Sequence, residues 1–268
     1  MKKYSVLLAL SAFGLAPLLQ GATFFDNFAT LGQNPNPSTP GQNLNTYNGW
    51  SSGNGQLGDP LAFGYTIGSP ASNAAAVGPF FDAPSSATTS FSASHALLTP
   101  LAGSTLLTTF VIVDSDPVGG FPARNDYSIN ISSGVTTLFS LSMLAANQTQ
   151  PSDPAQWNLS AAGNPFFTTA QENGLYNLSV YFTPSGLDMN YTVNIAPAGG
   201  GGGFSTSGTL AGLAGAVVDQ YSVTTRQGGG SGWGSGLIGI DNVGVVPEPS
   251  SVLLLGLASL GLIRRRRA

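Results

Sequence analysis

Cysteine is absent from this chain of 268 residues, histidine occurs once, and charged side chains make up only 7%. Each scarcity closes a class of chemistry. Without cysteine there is no disulfide staple, no thiolate nucleophile and no sulfur ligand for a metal. One histidine, His95, cannot build a histidine-rich zinc site. Any serine triad would have to use it; it follows Ser94 in an alternating run and reads as a strand or loop histidine. Glutamate is nearly missing as well, with Glu172 the only one before Glu248. The facing carboxylates of a glycosidase, about 5–9.5 Å apart, would have to come from aspartates, and no motif selects a pair. The chain therefore reads as non-catalytic, with a polysaccharide hydrolase or lyase the least favoured alternative.

Basic residues are missing from the middle. Lys2 and Lys3 stand at one end, Arg264, Arg265, Arg266 and Arg267 at the other, and only Arg124 and Arg226 lie between. From Thr23 to Val246, 2 bases stand against 11 acids, a formal charge of −9. No basic patch remains to meet a nucleic-acid backbone. Helical periodicity is absent from this body too. What it has is glycine (36 in the chain), proline (18) and 42% hydrophobic residues, too many for simple disorder.

The two ends carry the apolar runs. Lys2-Lys3, an apolar stretch from Val6 to Leu19, and Gln20-Gly21-Ala22 have the order of a secretory signal peptide over residues 1–22. At the other end stand Pro247-Glu248-Pro249, an uncharged run to Ile263, four arginines and Ala268. The prolines remove two backbone donors and keep the segment extended. The arginines resist crossing a bilayer. The uncharged run from Pro249 is 15 residues, short of the ~20 of a full span. Thinning of the bilayer and snorkelling of the arginines make up part of the difference.

This order of proline–glutamate–proline, apolar helix, arginine cluster and chain end resembles the PEP-CTERM sorting signal of Gram-negative bacteria. The resemblance covers about a tenth of the chain, residues 247–268. It implies an exported substrate of exosortase, an integral membrane protease or transpeptidase. Pro247, Glu248 and Pro249 would be the recognition motif, and Arg264 to Arg267 the cytoplasmic stop. Partners would be exosortase, the secretion machinery, the inner membrane for a time, and an extracellular polysaccharide; nucleic acid is not among them.

Between the ends, short runs alternate with turn signals. Strand candidates are Leu61–Ile67, Ser90–Leu98, Leu106–Asp114, Tyr127–Ser132, Val135–Leu144, Thr206–Leu213, Asp219–Thr225 and Gly236–Val246. The clearest hairpin sets Tyr176, Leu178, Val180 and Phe182 against Met189, Tyr191, Val193 and Ile195 across Pro184-Ser185-Gly186. Gly199 to Gly203 reads as a hairpin loop. Ten to twelve strands predict an all-β fold over residues 23–246, a single antiparallel β-sandwich of jelly-roll type. No fixed-period repeat supports a solenoid. Phe25-Asp26-Asn27-Phe28, Asn48-Gly49-Trp50 and Ile238 to Val243 resemble the ends of concanavalin/laminin-G-like jelly rolls. That resemblance implies first and last strands side by side, with Asp26 near Asp241.

Two binding chemistries fit this composition. Ca²⁺ takes oxygen ligands and suits an acidic, cysteine-free exported protein. Its candidates are Asp114 and Asp116, with Asn125 and Asp126 nearby, or Asp26 with Asp241. The bland alternative is turn-forming aspartates. Sugar binding would stack an exposed ring on a sugar face beside amides. Tyr47, Trp50, Trp157 and Trp233 sit in polar or glycine-rich stretches and are the candidates; rings that merely cap the sandwich are the alternative.

Overall fold

The computed structural model describes residues 24–26, 28, 48–53, 63–67, 72–78, 90–114, 125–145, 156–171, 173–226 and 236–247. The expected signal peptide, read as an N-terminal helix, and the expected C-terminal apolar helix lie outside the described residues. Among the described residues there is no helix, and fifteen strands form two antiparallel sheets.

In chain order the strands are β1 (Phe24–Asp26), β2 (Trp50–Gly53), β3 (Phe63–Ile67), β4 (Ser72–Val77) and β5 (Ser90–Pro100). Then come β6 (Ser104–Asp114), β7 (Asp126–Ser133), β8 (Thr136–Ala145), β9 (Gln156–Ala161) and β10 (Asn164–Gln171). The last five are β11 (Leu175–Ser185), β12 (Asp188–Pro197), β13 (Phe204–Leu210), β14 (Val217–Arg226) and β15 (Gly236–Pro247). The first sheet runs β13-β12-β11-β6-β15-β4-β3, with β1 also paired to β15. The second runs β10-β9-β8-β7-β14-β5-β2. Two meanders, β7 to β10 and β11 to β13, and the β3–β4 pair each stay within one sheet; the other connections cross between the sheets.

Period-two sequence explains each face. In β11 the side chains of Tyr176, Leu178, Val180 and Phe182 are buried, while Asn177, Tyr181 and Thr183 are exposed. The β11–β12 register pairs Phe182 with Tyr191 and Val180 with Val193, as the alternation predicts. Phe139 of the second sheet meets Phe182 and Tyr191 of the first, with centroids 5.5 and 5.4 Å away. Gly199 to Gly203 lies within the β12–β13 connection, a hairpin as expected.

Polar bridges also tie the sheets together inside this apolar layer. The Trp50 indole N–H donates to Asp26 Oδ2 at 3.0 Å. Thr108 and Tyr221 share a hydroxyl hydrogen bond of 3.1 Å. Thr225 donates to the Val77 carbonyl, and Tyr191 to that of Ala161, at 2.8 and 3.0 Å. Each bridge joins one strand of each sheet, a specific cross-link in a chain with no disulfide. Burial holds the Tyr221 phenol far above its usual range, partly offset by Thr108.

The expected adjacency of first and last strands is present. β1 pairs with the second half of β15, Phe24 opposite Val245 and Asp26 opposite Val243. β4 pairs with the first half, Ile240 opposite Ala75. On its other side β15 follows β6 through its whole length. The last strand is therefore interior, and its final ladder residue, Pro247 opposite Ser104, is the first residue of the Pro-Glu-Pro motif.

Candidate functional site

β15 carries one irregularity with consequences. Asp241 pairs with Thr109 and Gly244 with Leu107, so three steps on β15 match two on β6. Asn242, at φ 51°, is the residue at this bulge. The Asp241 carboxylate accepts from the Asn242 backbone N–H at 2.7 Å and from its side-chain amide at 3.0 Å. Asn242 thereby stays exposed on the outer face of the first sheet.

Beside it lies an open groove of about 330 Å³. Phe25 borders it from β1, 51% exposed. Leu107 and Thr109 enter from β6, Asn177 and Ser179 from β11, Asn194 and Ala196 from β12. Thr109 donates to Asn177 Oδ1 at 2.9 Å, which leaves the amide N–H groups of Asn177 for other acceptors. No lining side chain carries a charge. Chemically this is a mainly apolar strip of Phe25, Leu107 and Ala196 along a sheet, interleaved with the amides of Asn177, Asn194 and Asn242 and the hydroxyls of Thr109 and Ser179.

The residues anticipated from sequence fall elsewhere. Trp50 and Trp157 are 2% and 0% exposed and stand in β2 and β9, not in open loops. The Trp157 indole N–H donates to the Asn125 carbonyl at 2.8 Å. Trp50 packs edge-on to Phe24, His95 and Tyr221. Neither ring presents a face to solvent, so the expectation of stacking surfaces at these two positions is corrected. Their polar flanking residues point outward while the indoles point in, a period-two effect that local polarity conceals. Tyr47 and Trp233 lie outside the described residues. Phe25 is an exposed ring beside this groove, although its neighbour Phe24 is buried.

Asp26 and Asp241 do not converge. Asp26 faces inward, where its oxygens accept from the Phe28 N–H at 2.9 Å, Asn48 at 3.2 Å and Trp50. Asp241 pairs with outward-facing Thr109 and lies on the other face of the same sheet. The expected approach is corrected for that reason: adjacency of strands does not put residues on one face. Asp116 and the side chain of Asp114 are outside the described residues. Asn125 Nδ2 donates to the Gly236 carbonyl at 3.4 Å. Asp126 accepts from the Ala145 N–H at 2.9 Å. Burial raises its carboxyl above the usual value, against the pull of that hydrogen bond and of Arg226. Among the described residues no group of three carboxylate or histidine side chains is placed to hold a metal.

Gly49-Trp50-Ser51-Ser52-Gly53 has the spacing of a nucleophile elbow. Its setting is wrong for one. Ser51 is a strand residue bonded across to Ser94, Oγ to Oγ 3.0 Å. His95 pairs with Trp50, stacks on Phe24 at 3.9 Å and donates from Nε2 to the Asn48 carbonyl at 2.9 Å. Serine and histidine thus sit on opposite faces of the second sheet.

Fold and tail together define an antiparallel β-sandwich that runs straight into a sorting segment. A family model described as the PEP-CTERM protein-sorting motif matches residues 245–267, and the chain carries that motif. No curated protein matches the chain. Among solved structures, the CBM2 module of the evolved Dit of Lactobacillus casei BL23 phage J-1 aligns at TM-score 0.44 and 13% identity, over 84% of this chain and 96% of that one. The Bauhinia forficata lectin in complex with GalNAc aligns at TM-score 0.43 and 10% identity, over 76% and 94%. The alginate lyase of Klebsiella pneumoniae aligns at TM-score 0.38 and 8% identity, over 74% and 95%.

Proposed function

We propose that this is an exported, exosortase-sorted protein of the cell surface or extracellular matrix, with no catalytic role of its own. Residues 1–22 are its signal peptide, 23–246 its sandwich domain and 247–268 its sorting and anchor segment. Exosortase recognises Pro247, Glu248 and Pro249 while Arg264 to Arg267 hold the tail on the cytoplasmic side. The observation that carries this reading is the sorting motif at residues 245–267, beginning where the last strand of the sandwich ends. Replacing Pro247-Glu248-Pro249 by three alanines is expected to leave an unprocessed, membrane-bound precursor in an exosortase-bearing host. The mass of the mature protein reads the result, and normal maturation refutes the proposal.

The outer groove favours a second, compatible activity, binding of an uncharged polysaccharide. Amides and hydroxyls are the partners of sugar hydroxyls, Phe25 is a stacking ring, and no lining charge selects an anionic ligand. In affinity gels containing neutral polysaccharides of the host matrix, retardation is expected and should fall several-fold in Phe25→Ala and Asn177→Ala. Equal mobility of parent and variants in every such gel sinks this activity.

A further inference from the structure

The end of the sandwich from which the tail departs differs from the opposite end. Pro247 pairs with Ser104, Val217 with Pro100, and the β5–β6 turn joins these two rows. The β11–β12 hairpin tip, Ser185–Asp188, and the β7–β8 tip, around Gly134 and Val135, project at the same end. Four of the eight exposed large apolar side chains among the described residues gather here. Leu187 and Val135 stand on the hairpin tips, 84% and 104% exposed, and Leu98 and Val217 on the adjoining strand ends. The long connections 115–124, 146–155 and 227–235 all belong to the other end.

Charge distinguishes this end as well. Among the described residues it has no lysine or arginine. Its aspartates are already engaged: Asp188 accepts from the Gly212 N–H at 2.8 Å and Asp219 from the Gly134 N–H at 2.6 Å. An acidic partner finds no complement there. An apolar one finds four side chains.

Chain length then limits what lies opposite. From Pro247 to Val252, the first residue of the apolar run, five Cα steps span at most about 18 Å. A headgroup layer of roughly 5–8 Å takes up about a third of that tether. While the tail is in the bilayer, the Pro247 end of the sandwich is held within about a dozen ångströms of the lipid surface.

We infer that this end of the sandwich rests on the bilayer before processing, with Leu187 and Val135 inserted among the lipid headgroups. The occupant is a lipid surface, engaged by apolar insertion rather than by basic attraction. Seated so, the sandwich has the Pro-Glu-Pro motif in the seam between domain and bilayer. The inference rests on the anchored-precursor reading above.

Because the chain has no cysteine, single labels report cleanly. Precursor purified from membranes of an exporting host without exosortase would carry Leu187→Cys, Val135→Cys or, at the far end, Gly202→Cys. Each is labelled with an environment-sensitive fluorophore and reconstituted into phosphatidylcholine vesicles containing a spin-labelled lipid quencher. The labels at 135 and 187 are expected to shift to the blue and to be quenched several-fold more than the label at 202. Vesicle-bound precursor whose three labels report water alike overturns the docking and leaves the anchor standing. Precursor that does not float with vesicles overturns the anchor and the docking together, whereas equal flotation of a chain ended after Pro247 overturns the anchor alone, because only the sandwich is then left to hold the lipid. A blue shift that needs no vesicles and grows with protein concentration assigns the patch to a second copy of the chain, and overturns the lipid surface.

Discussion

Asp26 offers the sharpest test of how this cysteine-free sandwich is held together. Its carboxylate is 4% exposed and draws three donors to one point, the Phe28 backbone, Asn48 and Trp50. In Asp26→Ala the Trp50 and Phe28 N–H groups lose their acceptor inside the core, where both residues are buried. Asn48 is exposed and can turn to water. A buried donor left unsatisfied costs about 1–3 kcal/mol, so two cost roughly 2–6 kcal/mol before relaxation. Relief from removing a buried charge works the other way. The net loss should be about 3 kcal/mol, or some 6–12 °C in midpoint for a body of this size. Asp26→Asn keeps one acceptor oxygen and should lose about half as much. Urea denaturation followed by tryptophan fluorescence measures both, since Trp50 and Trp157 are buried reporters. A loss under about 0.5 kcal/mol in Asp26→Ala, the range of a neutral surface change, refutes the argument. So does a Ca²⁺-dependent rise in midpoint that only the parent shows, because it would put an ion where the donors are.

Two further outcomes test the core and its electrostatics. Gly208 pairs with Tyr191, whose phenol lies where a Cβ would stand; Gly208→Val should cost about 1–3 kcal/mol by overpacking and expose the β12–β13 edge to faster hydrogen exchange, and unchanged stability would show that the ring has another place to go. Asp126 has its carboxyl raised by burial, so the folded state binds the proton more tightly than the unfolded state. Its contribution to stability therefore falls as pH rises from the usual 3.8 through the raised folded value. Asp126→Asn keeps an acceptor for the Ala145 N–H and removes that slope, so the parent should gain on the variant as the solution is acidified through this window. A stability difference that does not change with pH across denaturation series excludes the burial argument.

The alternation in β11 and β12 was legible because a half-buried strand records its own two faces. Other strands left no such record. β4 is Ser-Asn-Ala-Ala-Ala-Val, weak in strand formers, and it exists because β15 and β3 supply its partners. β2, β9 and β10 were likewise unread, and with them the burial of Trp50 and Trp157. An indole among serines and glycines looks like an exposed ring until Asp26 and the Asn125 carbonyl, 24 and 32 residues away in the chain, take its N–H.

By itself the sequence determined the all-β class, the clearest hairpin and the sorting tail. Each is encoded by neighbours in the chain: a period of two, a turn tripeptide, a motif followed by an apolar run and arginines. Tertiary structure alone decided that β15 is interior and that Asp26 and Asp241 lie on opposite faces. It also decided that Asn242 and Phe25 border one groove, and that the tail leaves from the end tipped with Leu187 and Val135. Strand order and facing depend on pairings between segments tens to hundreds of residues apart. Many orders bury the same alternating faces equally well, so nothing local distinguishes them; only the packed sheets do.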